Sequence, residues 1–397
     1  MESPPMSFQL LQAMTSVGFE EVVAVCDPAS GLRAYIGLHD TTRGPAFGGV
    51  RRLPYREEGE ALSDCLRLAR AMTHKCIWAE LPAGGAKTVL LDHPDLDRQA
   101  AYRALGQAVE RLAGRYYSGP DVGTGDEELG WLCEGTRYAT RPDAQGPREL
   151  AAATAEGVFA GIATALRHLD QDTDWSRRRV VVQGLGSVGE RLARRLVEVG
   201  AHVIASDVDG ERAESCAKSL ELELIEPGEE LSIECDVFSP NALGGVIHDL
   251  SIERLRSRIV AGGANNVLSS AVHARRLSER GVLFLPDFVI NSGALIRGAH
   301  FHLEGVRVPL HEIGLRVSNA TAKLLELSGE FGTSPAETAL QEAERRLAAE
   351  RAQKLDSSRD GVSSDPHAAL PRGSGLPEGM ARDGMASMHD GAPKERR

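Results

Sequence analysis

VVVQGLGSVGERLARRLVEVGAHVIASDVD, residues 180–209, decides the fold of the second half of this chain. Its uncharged opening predicts a buried parallel strand, a helix follows the glycines, and HVIASD predicts the next strand. In a dinucleotide-binding turn the first glycine makes the turn, the second admits the pyrophosphate, and the third lets helix and strand pack. The candidate cofactor-binding residues of this loop are Gly184, Gly186, Ser187, Val188 and Gly189.

Asp207 closes the second strand of this segment, at the distance expected for a carboxylate that binds the adenosine ribose. Such a carboxylate accepts a hydrogen bond from the 2'-hydroxyl and repels a 2'-phosphate, so the sequence favours NAD over NADP. Three glycines in a loop can also serve packing alone. The preceding strand, the following helix and the acid together favour the nucleotide site.

A second informative segment, GGVRRLPYREEGEALSDCLRLARAMTHKCIWAELPAGGAK, covers residues 48–87. One amphipathic helix joins two glycine pairs and two lysines, Lys75 and Lys87. A desolvated lysine beside a second lysine has a lowered pKa and can act as a general acid or base near neutral pH. The segment therefore predicts a pocket that binds a carboxylate and supplies an amine. The structural alternative for Lys75 is a cation that stabilises a helix end.

Composition limits the function classes. With 397 residues, 42% of them hydrophobic, the chain is long enough for two cores. A net charge of -12 argues against a nucleic-acid partner, and no apolar run approaches the ~20 residues of a membrane span. The start MESPPMSFQL lacks a signal peptide, and the scattered cysteines form no metal motif, so we expect a cytoplasmic protein with reduced thiols and no metal.

The order of elements predicts two α/β domains. Strand-like runs (EEVVAVCD, RAYIGLHD, TVLL) alternate with helical ones in residues 1–147. In residues 148–354 a helix precedes strand candidates VVVQ, HVIASD, DVFSP, RIVAGGA and VLFLPDFVI, which predict a Rossmann-type, doubly wound parallel sheet with helices at its C-terminal end. Residues 355–397, rich in Ser, Gly, Pro and charge, predict a disordered tail.

Several blocks in order resemble the glutamate, leucine, valine and phenylalanine dehydrogenases, and most closely the leucine and phenylalanine branch. They are HDTTRGPAFGGVR, RLARAMTHK, LPAGGAKTVLL, RYYSGPDVGTG, VVVQGLGSVG, CDVFSPNALGGVI, IVAGGANNVL and LPDFVINSGALI. The resemblance implies a homo-oligomeric enzyme with a cleft between a substrate-binding and oligomerisation domain and an NAD domain. It also implies reversible NAD-dependent oxidative deamination of an L-amino acid to a 2-oxo acid and ammonia.

The same resemblance implies roles for individual residues. Lys75, helped by Gly48 and Gly49, is expected to bind the substrate carboxylate. Lys87 is expected to be catalytic, and Asp121 to move the proton on the substrate amine; an ordinary surface ion pair is the structural alternative. The residues implied at the nicotinamide and substrate end of the cleft are Thr154, Asn265, Asn266 and Asn291.

Substrate choice depends on the pocket wall. Phe47 stands where glutamate dehydrogenases carry a lysine, and a buried glutamate carboxylate beside Phe47 would lack a partner. The resemblance implies that Gly119, Leu295 and Gly298 also line the pocket. Branched aliphatic substrates (leucine, valine, isoleucine) are therefore favoured over glutamate, and phenylalanine and tryptophan stay open. Arg297 and His300 lie nearby in sequence and face either the pocket or solvent.

Three positions depart from the leucine-type pattern: His74 replaces a tyrosine, Asn241 a cysteine, and Ala294 a glycine. Ala294 and His74 motivate an alternative, an NAD-binding protein without turnover, against which Lys75, Lys87 and Asp121 argue. A second alternative is a regulatory or assembly role of the tail, which deletion of the tail would test.

Overall fold

The computed structural model of the chain describes residues 10–172 and 174–360. The elements that build the site belong to one compact unit that ends at Lys354. In the part of the chain that is described, no helix is both long and apolar enough to cross a membrane. All six cysteines lie in the described ranges, and none is paired.

The first part of the chain forms a five-stranded mixed sheet. Its elements are α1 (Leu10–Val17), β1 (Glu21–Asp27), β2 (Leu32–Asp40), β3 (Ala46–Leu53), α2 (Glu58–Trp78), β4 (Gly84–Leu91), α3 (Arg98–Arg111), β5 (Tyr116–Gly119) and α4 (Asp126–Gly135). The strand order is β1-β2-β4-β3-β5. β1, β2 and β4 pair antiparallel, and β3 pairs parallel with β4 and β5. Strand β3 therefore lies between β4 and β5, and β5 pairs with its first half, residues 46–49.

The second part begins with helix α5 (Leu150–Asp170) and forms a six-stranded parallel sheet. Its elements are β6 (Arg179–Gln183), α6 (Gly189–Glu198), β7 (His202–Ser206), α7 (Gly210–Leu220), β8 (Glu223–Leu224), β9 (Cys235–Pro240), α8 (Asp249–Arg254), β10 (Ser257–Val260), α9 (Val272–Glu279) and β11 (Leu283–Phe284). The order β11-β10-β9-β6-β7-β8 confirms the predicted doubly wound sheet. The strand order reverses between β6 and β9, where such sheets bind ligands at the carboxyl ends of the strands.

Four helices complete the described chain: α10 (Asp287–Ile290), α11 (Gly293–Glu304), α12 (Leu310–Phe331) and α13 (Pro335–Asp360). The predicted strand VLFLPDFVI differs from the structure, because only Leu283 and Phe284 pair and a short helix begins after Pro286. Proline has no N–H for a ladder, which favours the end of the strand there. Helix α13 continues to Asp360, past the predicted start of the tail at residue 355. The remainder of that predicted tail lies outside the described residues.

Helices α2 and α13 connect the two parts. The Trp78 indole Nε1 at the end of α2 donates to the Ala339 carbonyl at 2.9 Å, and the Arg346 guanidinium lies over the same ring. One apolar core extends from Trp78 and Phe47 to α5, α11, α12 and one face of the parallel sheet. The end of α2, which carries Lys75, is thus held against the second sheet.

Candidate active site

A cavity of about 340 Å³ lies between strands β3, β4 and β5 on one side and helices α5, α10 and α11 on the other. It brings together fourteen of the residues predicted from the sequence. They are Phe47, Gly48, Gly49, Lys75, Lys87, Gly119, Asp121, Thr154, Val188, Asn265, Asn266, Asn291, Leu295 and Gly298. Residues from both the first and the second part of the chain therefore form one site.

Lys87 and Asp121 form an ion pair at the bottom of this cavity. Lys87 lies on β4 and is 5% exposed, and its Nζ is 2.6 Å from Asp121 Oδ2. The Arg51 guanidinium donates through Nε to the same oxygen at 3.0 Å. Arg51 also pairs with Asp64, which accepts a hydrogen bond from the Tyr55 hydroxyl. This buried network is not the surface ion pair considered as the alternative.

The electrostatics of the pair follow from burial and from the two cations. Burial opposes ionisation of Asp121, but the ammonium of Lys87 and the guanidinium of Arg51 lower the pKa of its carboxyl to about 2. Burial lowers the pKa of Lys87, and the charge of Asp121 opposes this shift. Asp121 is therefore a carboxylate at every physiological pH, and Lys87 loses its proton more readily than an ordinary lysine.

Lys75 lies one turn from the end of α2 and faces the same cavity. Burial lowers the pKa of its ammonium, with a further lowering from Lys87 and an opposing effect of Asp287. Within the described residues its ammonium makes no hydrogen bond or ion pair. An unpaired cation in a cavity is suited to an anionic ligand. Gly48 and Gly49 bring β3 close to its neighbours, since a Cβ would lie 1.8 Å from the Ala86 carbonyl oxygen and 2.3 Å from that of Pro120.

Asparagine side chains form the opposite wall. Asn291 Nδ2 donates to the Gly263 carbonyl at 3.1 Å and to Asn265 Oδ1 at 2.9 Å. The Asn291 Oδ1 atom is buried and has no hydrogen-bond partner in the described residues. It is an acceptor that the described residues leave unused at the cavity wall. Thr154 on α5 and Val188 line the same region.

The glycine-rich turn between β6 and α6 has the geometry of a pyrophosphate cradle. Gly184 has a φ of +86°, and a Cβ on Gly189 would lie 1.8 Å from the Gly184 carbonyl oxygen, so both positions require glycine. A Cβ on Gly186 would meet nothing within 4 Å, so open space lies beside it. Ser187 is exposed in the same turn. The residues of this turn therefore fit a dinucleotide.

Asp207 and Gly184 border a further cavity of about 690 Å³, at the carboxyl ends of β6, β7 and β9. Asp207 Oδ2 accepts from the Leu185 amide at 2.7 Å, and Oδ1 accepts from the Asp209 amide at 2.9 Å. Val208, which is 90% exposed, also borders the cavity and offers an apolar surface for a base. This cavity lies at the carboxyl ends of the strands, where doubly wound sheets bind ligands.

Sequence reasoning missed several cavity residues, among them Arg51, Tyr117, Thr140 and His302. Arg51 had a signal, because it follows Phe47 and Gly49 at alternate positions of β3, which places it on the same face. Tyr117 had the same kind of signal, because it alternates with the predicted residue Gly119 on β5 and therefore lies on the same face of that strand. Thr140 and His302 lie in segments without a motif, and only the fold brings them together.

The structure locates the three residues that differ from the leucine-type pattern. His74 Nε2 lies 2.6 Å from Glu344 on α13, outside this cavity. Asn241 joins the ends of β9 and β10, because its Oδ1 accepts from the Gly263 amide at 2.8 Å. Ala294 lines the cavity, while the close approach at this turn falls on Gly293, where a Cβ would lie 1.9 Å from the Ala153 carbonyl oxygen.

Arg297 and His300 face neither the pocket nor open solvent. Arg297 is 5% exposed and donates to the carbonyls of Pro147, Arg148 and Val308. His300 contacts Glu304 and Arg316 through its two ring nitrogens.

Family models match both parts of the chain. Residues 20–138 match the dimerisation domain of Glu/Leu/Phe/Val dehydrogenases, and residues 146–215 and 211–300 match the glutamate/leucine/phenylalanine/valine dehydrogenase model. Together with the parallel sheet, these matches define an oxidoreductase of the amino-acid dehydrogenase class.

Individual proteins similar to this chain belong to the same class. Leucine dehydrogenase of Thermoactinomyces intermedius is 39% identical over 294 residues, which are 73% of this chain and 80% of that protein. Phenylalanine dehydrogenase of the same organism is 38% identical over 301 residues, 75% of this chain and 82% of that protein. The crystal structure of L-tryptophan dehydrogenase from Nostoc punctiforme superposes with a TM-score of 0.75 at 33% identity, covering 86% of this chain and 99% of that one. The chain belongs to the glutamate/leucine/phenylalanine/valine dehydrogenase family.

Proposed function

We propose that this protein catalyses the reversible NAD-dependent oxidative deamination of an L-amino acid with an uncharged side chain. The reaction converts the amino acid, NAD⁺ and water into a 2-oxo acid, ammonium, NADH and a proton. The observation that carries the proposal is the buried Lys87–Asp121 pair beside the unpaired Lys75, in a cavity whose far wall leads to a pyrophosphate cradle.

Substrate binding follows from the charges. The ammonium of Lys75 pairs with the substrate carboxylate, and the buried Oδ1 of Asn291 accepts a ligand hydrogen bond. The Asp121 carboxylate then accepts from the substrate ammonium. This second ammonium beside Lys87 lowers the pKa of Lys87 further, because like charges disfavour each other at short range in a desolvated site.

Proton transfer is the contribution of Asp121 and Lys87. The substrate amine must lose its proton before Cα can give up a hydride, and Asp121 receives or relays that proton. NAD, when bound, would supply the acceptor for this hydride. Neutral Lys87 then removes a proton from the water that attacks the resulting substrate iminium carbon. Protonated Lys87 then returns a proton to the substrate nitrogen, relayed through Asp121, and its regenerated amine takes the hydroxyl proton as the C–N bond breaks, which leaves the 2-oxo acid and ammonia.

Two features support NAD as the cofactor. Asp207 carries a carboxylate where a 2'-phosphate of NADP would approach, and Asp209 adds a second negative charge two residues away. Arg212 is the nearby cation, and it already pairs with both carboxylates.

The side-chain subsite supports an uncharged substrate. Phe47 stacks on Tyr117 with ring centroids 5.0 Å apart, and Leu295 lies across the cavity. A glutamate carboxylate beside these groups would lack a partner. Branched aliphatic substrates stay a prediction from the sequence. The relatives named above act by their names on leucine, phenylalanine and tryptophan, which supports an apolar or aromatic side chain.

We also propose a homo-oligomer, supported by the match to a dimerisation domain. Light scattering on the purified chain should then give a multiple of 42.6 kDa. A monomeric mass at micromolar concentration would contradict this assembly.

Replacement of Lys87 by alanine tests the proposed chemistry. We expect turnover to fall by about 10²–10⁴-fold or more, since general acid–base catalysis typically contributes this much. Titration of NADH fluorescence should show that cofactor binding persists, because the GLGSVG turn is unchanged. Lys323→Ala, an exposed lysine on α12 that pairs with Glu326, is the matched control and should retain activity. Equal loss of binding and turnover in Lys87→Ala would contradict the role of Lys87.

A further inference from the structure

One end of the active-site cavity is lined by aromatic rings and by the polar side chains of His302 and Thr140. The Tyr117 ring stacks on Phe47 and lies 5.1 Å from the His302 ring, centroid to centroid. His302 Nε2 is 3.3 Å from Thr140 Oγ1. All four side chains line the cavity. The subsite therefore combines ring surfaces with one hydrogen-bonding pair, the His302–Thr140 pair.

The fold leaves room at this end. Leu295, Gly298 and His302 follow each other at helical spacing along one face of α11. A Cβ on Gly298 would meet nothing within 4 Å, so the cavity continues above this turn of the helix. A Cβ on Gly119, on the facing strand, would touch only Thr140. The open volume thus lies next to the His302–Thr140 pair.

The charge state of His302 suits a neutral ligand. Burial lowers the pKa of its imidazole to about 4, so the ring is neutral near pH 7. A neutral imidazole has one N–H donor and one acceptor nitrogen. Nε2 lies beside Thr140, and Nδ1 makes no hydrogen bond within residues 10–172 and 174–360. The His302–Thr140 pair therefore has hydrogen-bonding capacity that the protein itself does not use.

We propose that the substrate is an aromatic L-amino acid whose ring carries an N–H or O–H group, and that the His302–Thr140 pair binds this group. This inference rests on the proposed deamination and specifies its substrate class. Indole and phenol rings share the required chemistry. An aliphatic side chain would fill less of the volume and would leave the His302–Thr140 pair without a partner, a loss that discriminates strongly between substrates. The inference thus departs from the branched aliphatic side chains favoured by the sequence.

The test compares kcat/KM for tryptophan, tyrosine, phenylalanine and leucine in the wild type, with NAD. We expect tryptophan or tyrosine to exceed both phenylalanine and leucine by about 10-fold or more, the factor that one lost hydrogen bond gives. If tryptophan is preferred and 1-methyltryptophan, which lacks the indole N–H, has a lower kcat/KM, the indole N–H is the recognised group. A preference for tyrosine identifies the phenol.

Two variants locate the recognition. His302→Phe keeps a planar ring and Thr140→Val keeps the shape of threonine, while each removes a polar group. Each should lower the ratio of kcat/KM for the preferred substrate to that for phenylalanine by about 10-fold. His300→Phe is the matched control: it lies on the same helix, contacts Glu304 and Arg316, and should leave the ratio unchanged. Retained NAD binding shows that each variant is folded.

The outcomes separate this inference from the proposed function. If the wild type reduces NAD with leucine or phenylalanine in preference to tryptophan and tyrosine, the deamination stands and the inference is overturned. If His302→Phe and Thr140→Val change kcat/KM for all substrates by one common factor, recognition at this pair is likewise refuted. If no amino acid reduces NAD at all, the proposed function fails and this inference fails with it.

Discussion

At the scale of single residues, the environment of Lys87 decides the chemistry. Burial and the Arg51 guanidinium both lower the pKa of its ammonium, while the Asp121 carboxylate raises it. Deamination needs the neutral amine, so kcat/KM should rise with pH and level off as Lys87 loses its proton. Because the pKa is lowered, we expect this to occur below the ordinary lysine value of 10.5.

Arg51→Met tests this balance. Removal of the guanidinium takes away one positive neighbour of Lys87, so the Lys87 pKa should rise and the ascending limb of the pH profile should move to higher pH. Steady-state kcat/KM from pH 6 to pH 11 measures the shift. Arg103→Met, an exposed arginine on α3, is the control and should leave the profile in place. A shift to lower pH in Arg51→Met would contradict the assignment of the limb to Lys87.

Asp207 is the residue at which cofactor choice is tested. Asp207→Ala removes the carboxylate near the ribose, so the ratio of kcat/KM for NAD to that for NADP should fall by about 10-fold or more. The control is Asp174→Ala. Asp174 precedes the first residue of β6, at the other end of the strand from the glycine-rich turn, so this change should leave the ratio unchanged. Undiminished discrimination in Asp207→Ala would show that this carboxylate does not contact the ribose.

At the scale of elements, the contact between α2 and α13 holds the helix that carries Lys75. Glu344 on α13 accepts hydrogen bonds from His74 and Arg70 on α2. The hydrogen bond from His74, aided by Arg70, lowers the pKa of Glu344 to about 2 despite partial burial. A carboxyl whose pKa is lower in the folded state stabilises the fold above its ordinary pKa of 4.5 and loses this effect as pH falls towards 2.

Glu344→Gln should therefore lower Tm by a few degrees at pH 7. The difference from the wild type should shrink as pH falls below 4.5, because Glu344 then takes up a proton in the unfolded wild type while it stays ionised in the folded state down to about pH 2. Scanning calorimetry at pH 7, 5 and 3.5 measures this difference in Tm. Glu326→Gln on α12 is the control. A difference in Tm that stays constant down to pH 3.5 would argue against this ion-pair contribution.

Elements were predictable where the apolar pattern was regular. Strands β6 and β7 and helix α6 follow directly from VVVQ, HVIASD and the glycines between them. Strand β3 escaped prediction because AFGGVRRL contains paired glycines and arginines instead of alternating apolar residues. Its strand state comes from pairing with β4 and β5, which a linear pattern does not contain.

In the whole molecule, some site residues were predictable from the sequence and others were not. The sequence predicted Lys75, Lys87 and Asp121 because short motifs surround them. The His302–Thr140 pair joins residues 162 positions apart, without a motif at either position. The side-chain end of the cavity is therefore a product of tertiary structure, and substrate size could not be derived from sequence. The direction of the Arg297 side chain was undecided for the same reason.

The most direct test of the account measures two products together in one reaction. Purified protein with NAD should be given leucine, valine, isoleucine, phenylalanine, tyrosine, tryptophan and glutamate in turn, with NADH followed by absorbance and ammonia by a coupled assay. We predict that NADH and ammonia appear in equal amounts with at least one uncharged amino acid, and not with glutamate. Measurable NAD binding without NADH formation from any of them would contradict the proposed deamination.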